Sequence, residues 1–204
     1  MKTLSLCVAA VLNLVAISGP VASEIGGDFS LTAHTGERFH LAETRGQVVV
    51  IAFGYTSCPD VCPLVLGQLA TALRGLGPDI GSVQPLFISV DPKRDSEERL
   101  AQYVTWFHPK LIGLRGSIHE IDAVARKYHV QIRRHPGVND FYTVDHSSNL
   151  YILRPDGQLA LIMPHGLPSS AIESAIQAIL DGADHPRRNG GPAKVPVTGT
   201  GKPQ

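Results

Sequence analysis

Cysteine is scarce in this chain of 204 residues: three in all, Cys7, Cys58 and Cys62. That number excludes the disulfide-dense scaffolds of small secreted domains. An excess of one charge is also missing, since 18 basic side chains face 18 acidic ones. A nucleic-acid binder needs a basic surface, so that class is set aside. Long apolar runs are confined to the first 23 residues, which excludes a protein with several membrane spans. What remains is a composition of 43% apolar and 18% charged residues, the range of one ordinary globular domain with a sizeable core.

The ends read differently from the middle. Residues 1–23 carry Lys2, then an almost wholly apolar stretch from Leu4 to Ile17, then Gly19-Pro20 and the small residues Val21-Ala22-Ser23. This pattern predicts an export signal, or an N-terminal membrane anchor if it is retained. Both place the rest of the chain outside the cytoplasm, and the expected location is the periplasmic side of a bacterial inner membrane. Residues 183–204 form a Gly- and Pro-rich basic tail with no apolar period, which predicts an unstructured segment. The neutral total therefore hides a split: residues 24–184 hold 13 basic and 18 acidic groups, a net of −5, whereas residues 185–204 carry +4.

The domain between them, residues 24–182, alternates strand and helix signals. A short hairpin is expected at Phe29-Ser-Leu and Arg38-Phe-His. Continuous apolar runs at Gln47–Phe53 and Gln84–Val90 predict buried strands. Helical spacing runs from Val61 to Leu76, Ser96 opens a helix ending at Phe107, and Ser117 caps another reaching Tyr128. Val130–Arg134 reads as a short strand, Asn149–Leu153 and Gln158–Ile162 as a hairpin, and Ala171–Leu180 as a final helix. This order predicts an α/β fold: a sheet with a parallel centre and an antiparallel terminal hairpin, flanked by helices. Ligands of such sheets gather at the carboxyl ends of the strands.

One such end is Gly54-Tyr-Thr-Ser-Cys58-Pro-Asp-Val-Cys62-Pro63. The cysteines are four residues apart, where a strand hands over to a helix. The unpaired N–H groups of a helix N-terminus favour thiolate over thiol. Converging thiolates can cycle with a disulfide, hold a soft metal such as Cu(I), or form a structural bridge, and spacing alone leaves all three open. A metal needs a further ligand. Of nine histidines, His146 stands out because it directly precedes the strand Asn149–Leu153; pairing of that strand with Gln47–Phe53 would bring it toward the cysteines. Asp145 beside it can orient the imidazole or supply an oxygen.

Phe53-Gly-Tyr-Thr-Ser-Cys-Pro-Asp-Val-Cys-Pro63 resembles the signature of the Sco (SenC/PrrC) family, copper proteins of cytochrome c oxidase assembly. Ile88-Ser-Val-Asp-Pro-Lys-Arg-Asp95 and Val144-Asp-His-Ser-Ser-Asn-Leu-Tyr151 are similar to two further family blocks, in the same order. The resemblance spans about residues 27–180. It implies a thioredoxin-like fold with a central mixed sheet, and Cys58, Cys62 and His146 as ligands of Cu(I) or Cu(II). It further implies a metallochaperone rather than a turnover enzyme, serving the dinuclear copper centre of oxidase subunit II, fed by an upstream periplasmic copper donor. The alternative it leaves is a thiol–disulfide oxidoreductase that reduces that subunit's cysteines with Cys58 and Cys62. Asp91 and Asp95, bordering the site, are expected on a partner-docking face or in a turn and helix cap. Arg115 stands where the family more often has an uncharged Thr.

Overall fold

The computed structural model of the chain describes residues 25–137 and 142–182. The expected leader (1–23) and tail (183–204) lie outside the described residues. Among the described residues no helix is long and apolar enough to cross a membrane.

Two strands form the centre because their side chains leave no polar face. In β3 (Val48–Gly54) every residue is buried, and in β4 (Val83–Ser89) every residue but Gln84. The strands pair in parallel from Val48 opposite Val83 to Gly54 opposite Ser89. Successive side chains of a strand point to opposite faces. Val48, Val50 and Ala52 therefore pack with α1 (Val61–Gly75), α2 (Glu97–Phe107) and α4 (Ser169–Leu180). Val49, Ile51 and Phe53 face α3 (Ile118–Lys127), where Tyr128 stands edge-on to Phe29 and Tyr151. Burying a side chain of this size contributes about 2 kcal/mol, and both faces of the sheet collect that term.

The seven-stranded sheet has the order β2-β1-β5-β4-β3-β8-β9. Beyond the parallel β3–β4 and β4–β5 pairs, all its pairings are antiparallel. β1 (Ser30–Ala33) and β2 (Arg38–His40) are the expected hairpin. β8 (Leu150–Leu153) and β9 (Leu159–Met163) are the other, and β8 lies against β3 with Leu150 opposite Ala52. The sheet is mixed, as the resemblance implied. Two features differ from the reading of the residues. β5 (Ile112–Arg115) is an additional strand joining β1 to β4. β6 (Ile132–Pro136) does not enter the main sheet but forms a separate ribbon with β7 (Tyr142–His146). Its Arg133 and Arg134 and its terminal Pro136 suit a partly solvated ribbon and not a buried position.

Helix starts follow the sequence closely. Ser96 caps α2 by accepting from the Arg99 N–H, and Ser117 makes a reciprocal capping box with Glu120 on α3. Trp106, near the end of α2, is edge-on to Phe107 and 78% exposed.

Candidate metal centre

The carboxyl ends of β3 and β4 carry the candidate site. Gly54 closes β3 and makes a close approach possible: a Cβ there would lie 2.6 Å from the Phe87 ring and 2.9 Å from the Cys62 sulfur. The chain then turns, with the Cys58 N–H donating to the Tyr55 carbonyl at 3.2 Å, and enters α1 at Val61. Cys58 sits on this turn, half-buried, and Cys62 lies in the first turn of the helix, 4% exposed. Both are free thiols.

Their environments are opposite. Burial disfavours the Cys58 thiolate, but the backbone N–H of Asp60, the Cys62 thiol and the N–H groups of Cys62 and Val61 outweigh it and hold Cys58 below the ordinary thiol range. These are the unpaired donors of a helix start. Cys62 is pushed strongly up, first by burial, then by hydrogen bonding to Cys58 and by the charges of Cys58 and Asp95. One thiol is primed to ionise and its neighbour holds its proton.

His146 ends β7, where the two-stranded ribbon brings it over the cysteine turn. Its Nε2 is 3.4 Å from the Cys62 sulfur. Its Nδ1 lies 2.9 Å from the Ser147 carbonyl, and because a carbonyl only accepts, Nδ1 carries the proton. Nε2 therefore turns its lone pair to Cys62. Burial, partly offset by the Ser147 hydrogen bond and the Asp145 charge, lowers the imidazole's pKa and keeps it neutral, as a ligand must be. The contacts run as a line, Cys58 to Cys62 to His146. Among the described residues no three Cys, His, Asp or Glu side chains already close around a metal position.

Of the three acidic residues expected around the site, Asp95 borders the cysteine turn, while Asp145 and Asp91 make their contacts outside the Cys58, Cys62 and His146 group. Asp145 points away from the His146 ring and pairs with His135 at 2.8 Å, so Ser147, not Asp145, orients the imidazole. Neighbouring residues on a strand face opposite ways, which dictates this split. Asp91 and Asp95 do not offer a docking face: they are 2% and 0% exposed. Asp95 accepts from the Thr56 N–H at 3.1 Å, the Thr56 hydroxyl at 2.6 Å and the Ser89 hydroxyl at 2.6 Å. It thus ties the cysteine turn to the end of β4. Asp91 accepts from Arg94 and from the Tyr142 hydroxyl.

Other site neighbours carried no distinct sequence signal. Tyr55 stands edge-on to His146 with centroids 5.9 Å apart. The Arg94 guanidinium lies 4.0 Å over the Tyr142 ring and 5.5 Å from that of Tyr55. Burial, then hydrogen bonding to Asp91, pushes the Tyr142 phenol up to about 12. The Tyr103 phenol is raised by burial and then by the charges of Cys62, Cys58 and Asp95, and its hydroxyl has no hydrogen-bond partner among the described residues. Tyr55 lies in the cysteine block and Arg94 in the Asp-Pro-Lys-Arg-Asp block, so the meeting of those blocks at adjacent strand ends was the one available hint.

Two soft sulfurs and a neutral imidazole suit Cu(I) best among the common metals. A family profile described as SCO1/SenC matches residues 18–181 of this chain. The mitochondrial SCO2 homolog of Mus musculus is 46% identical over 134 residues, which are 64% of this chain and 52% of that protein. The chain thus spans about half the length of the first curated relatives it matches. Among solved structures, Arabidopsis thaliana ScoI with copper bound is 37% identical at a TM-score of 0.71, covering 77% of this chain and 99% of that one. Bradyrhizobium japonicum ScoI with copper bound is 34% identical at a TM-score of 0.71, covering 76% and 99%.

Proposed function

The chain belongs to the SCO1/SenC family, and on that premise we propose that it binds copper as cargo through Cys58, Cys62 and His146 and delivers it during cytochrome c oxidase assembly. The acceptor is the dinuclear copper site of oxidase subunit II, and the supplier an upstream copper donor. The expected setting is the periplasmic side of the bacterial inner membrane, reached through the N-terminal segment. The observation that carries this reading is the approach of the unprotonated His146 Nε2 to the Cys62 sulfur, beside a Cys58 already biased toward thiolate. The copper-bound relatives support the choice of metal. Loading requires Cys62 to give up its proton, so uptake releases protons and weakens as pH falls. Delivery then proceeds by ligand exchange, an acceptor thiolate or imidazole entering as one of the three donors leaves.

A second reading is favoured by the asymmetry of the thiols. A half-exposed, low-pKa Cys58 and a buried, protonated Cys62 are the arrangement of an attacking and a resolving thiol. In this reading the Cys58 thiolate attacks a disulfide of subunit II, forming a mixed disulfide and releasing one partner thiolate. Cys62, once deprotonated, then attacks Cys58, leaving the partner a dithiol and this chain a disulfide.

The deciding experiment mixes the copper-loaded protein with the oxidised soluble domain of oxidase subunit II, and separately with its reduced form. Copper transfer to the reduced form supports the chaperone. Reduction of the oxidised form without transfer supports the second reading. Cys58→Ser and Cys62→Ser should each abolish tight copper binding, and His146→Ala should weaken Cu(II) binding and change its absorption spectrum. Normal copper retention by either serine variant would refute the two-thiolate site.

A further inference from the structure

The turn that carries Cys58 is held from a distance. Arg115, the last residue of β5, reaches across the end of β4 to the segment between β4 and α2. Its Nε–H donates to the Asp95 carbonyl at 3.1 Å and its Nη2 to the Pro92 carbonyl at 3.3 Å, while Nη1 pairs with Glu97 at 3.4 Å. One planar guanidinium thus spans both ends of the Pro92–Asp95 turn and the first residue of α2. A lysine, with a single nitrogen, cannot reproduce that fork. From the backbone so fixed, the buried Asp95 carboxylate takes the Thr56 N–H and hydroxyl and the Ser89 hydroxyl. Thr56 follows Tyr55, whose carbonyl receives the Cys58 N–H. A parallel tie runs from Arg99 on α2 to the Ser57 hydroxyl at 3.1 Å.

We propose that Arg115 is a positioning residue for the copper site: through Asp95 and Thr56 it fixes the turn bearing Cys58, and so sets in advance where that donor stands relative to Cys62 and His146. This rests on the proposed function for its copper readout, though the mechanical link is independent of it. The reasoning is preorganisation. A donor already held in place loses less conformational freedom on binding, so an outer partner that fixes it raises affinity without touching the metal. Among the described residues Arg115 makes no hydrogen bond or ion pair to any of the three donors; the Asp95–Thr56 link carries its effect toward Cys58, with the Glu97 pair on α2 beside the Arg99–Ser57 tie as a lesser route.

The test uses the full chain with Arg115→Ala and Arg115→Lys, and with Arg38→Ala as a control. Arg38 also makes a half-exposed ion pair, with Glu120, but among the described residues its hydrogen bonds go to Glu120 and the Ser30 carbonyl and not to the cysteine turn. Two readouts apply: competition for Cu(I) against a chromophoric chelator, and amide hydrogen exchange of the metal-free protein at Thr56. Arg115→Ala should raise the Cu(I) dissociation constant about 10-fold and speed exchange at Thr56, with Val50 in the core unchanged. Arg115→Lys should fall between it and wild type, and Arg38→Ala should match wild type in both. Unchanged Thr56 exchange in Arg115→Ala overturns the mechanical link. Unchanged Cu(I) affinity, or an equal loss in Arg38→Ala, overturns the positioning role. Failure of the wild-type protein to compete for Cu(I) would instead sink the proposed function, and Thr56 exchange would still decide the clamp.

Discussion

The middle and the carboxyl ends of β3 and β4 are built from different forces, although they are the same two strands. In the middle, Ile51, Leu86 and Phe87 have no polar atoms to satisfy and are held by area removed from water. That force has no direction, so it makes the sheet stable without placing any atom closely. At the end of β4 and just beyond it, Ser89, Asp91 and Asp95 are equally buried, yet each is held by hydrogen bonds to a named partner. Those bonds are directional, and they position the turn that carries Cys58. Stability and placement of the site are therefore separable within one sheet.

That separation can be broken experimentally in order of size. Leu86→Ala leaves a cavity in the middle and should cost about 3 kcal/mol in urea denaturation followed by circular dichroism. The rate of Cys58 alkylation in the folded protein should stay near wild type, and a large change there would show that core and site are not separable. Asp95→Ala strands the Thr56 N–H, the Thr56 hydroxyl and the Ser89 hydroxyl. It should cost about 2 kcal/mol but alter Cys58 alkylation sharply, the reverse of the core variant. Gly54→Ala adds a methyl where the two regions meet, against the Phe87 ring and the Cys62 sulfur. About 1.5 kcal/mol of overpacking is expected, together with a displaced Cys62, so it should shift both measurements.

The smallest effect comes from polar groups that are not buried. Glu120 is held below the usual carboxylate range by the Ser117 backbone N–H, then by Arg38 and the Ser117 hydroxyl. A depressed folded-state pKa gives stability that is complete above the unfolded-state value and lost as pH falls through the folded-state one. Because this cluster is largely solvent-exposed, the loss should be only about 0.5 kcal/mol. Comparing Glu120→Gln with wild type across the acid range measures it. A loss matching that of Asp95→Ala would erase the distinction between buried and exposed networks.

These forces also decide which parts were legible in the residues alone. β3, β4, α1 and α2 were, because hydrophobic burial writes itself as runs and periods. β5 was not: four residues containing Gly113 are too short to show a pattern, and the strand exists because its neighbours need it. β6 was read as a strand at Val130–Arg134, but its partner β7, whose Asp145 and His146 interrupt any apolar run, and their pairing as a separate ribbon were not. In the site, Cys58 and Cys62 were legible because their relation is local. His146 was reached through the adjacency of the following strand to β3, which the β3–β8 register bears out. The burial of Asp91 and Asp95 was not legible. A carboxylate reads as surface until its donors are known, and the Asp95 donor Thr56 lies 39 residues away in sequence. The same holds for the Ser147 carbonyl, since any residue supplies one.

Trp106 has a consequence for how all of this is observed. It is the chain's only tryptophan, and in the folded domain its ring already stands in water at the end of α2. Its emission should therefore sit near the wavelength of free indole in the native state and move little on unfolding. Tyr55, edge-on to His146, is instead the fluorophore placed to sense events at the cysteines. Selective excitation of indole would make the protein look optically inert, while the tyrosine bands would carry the signal.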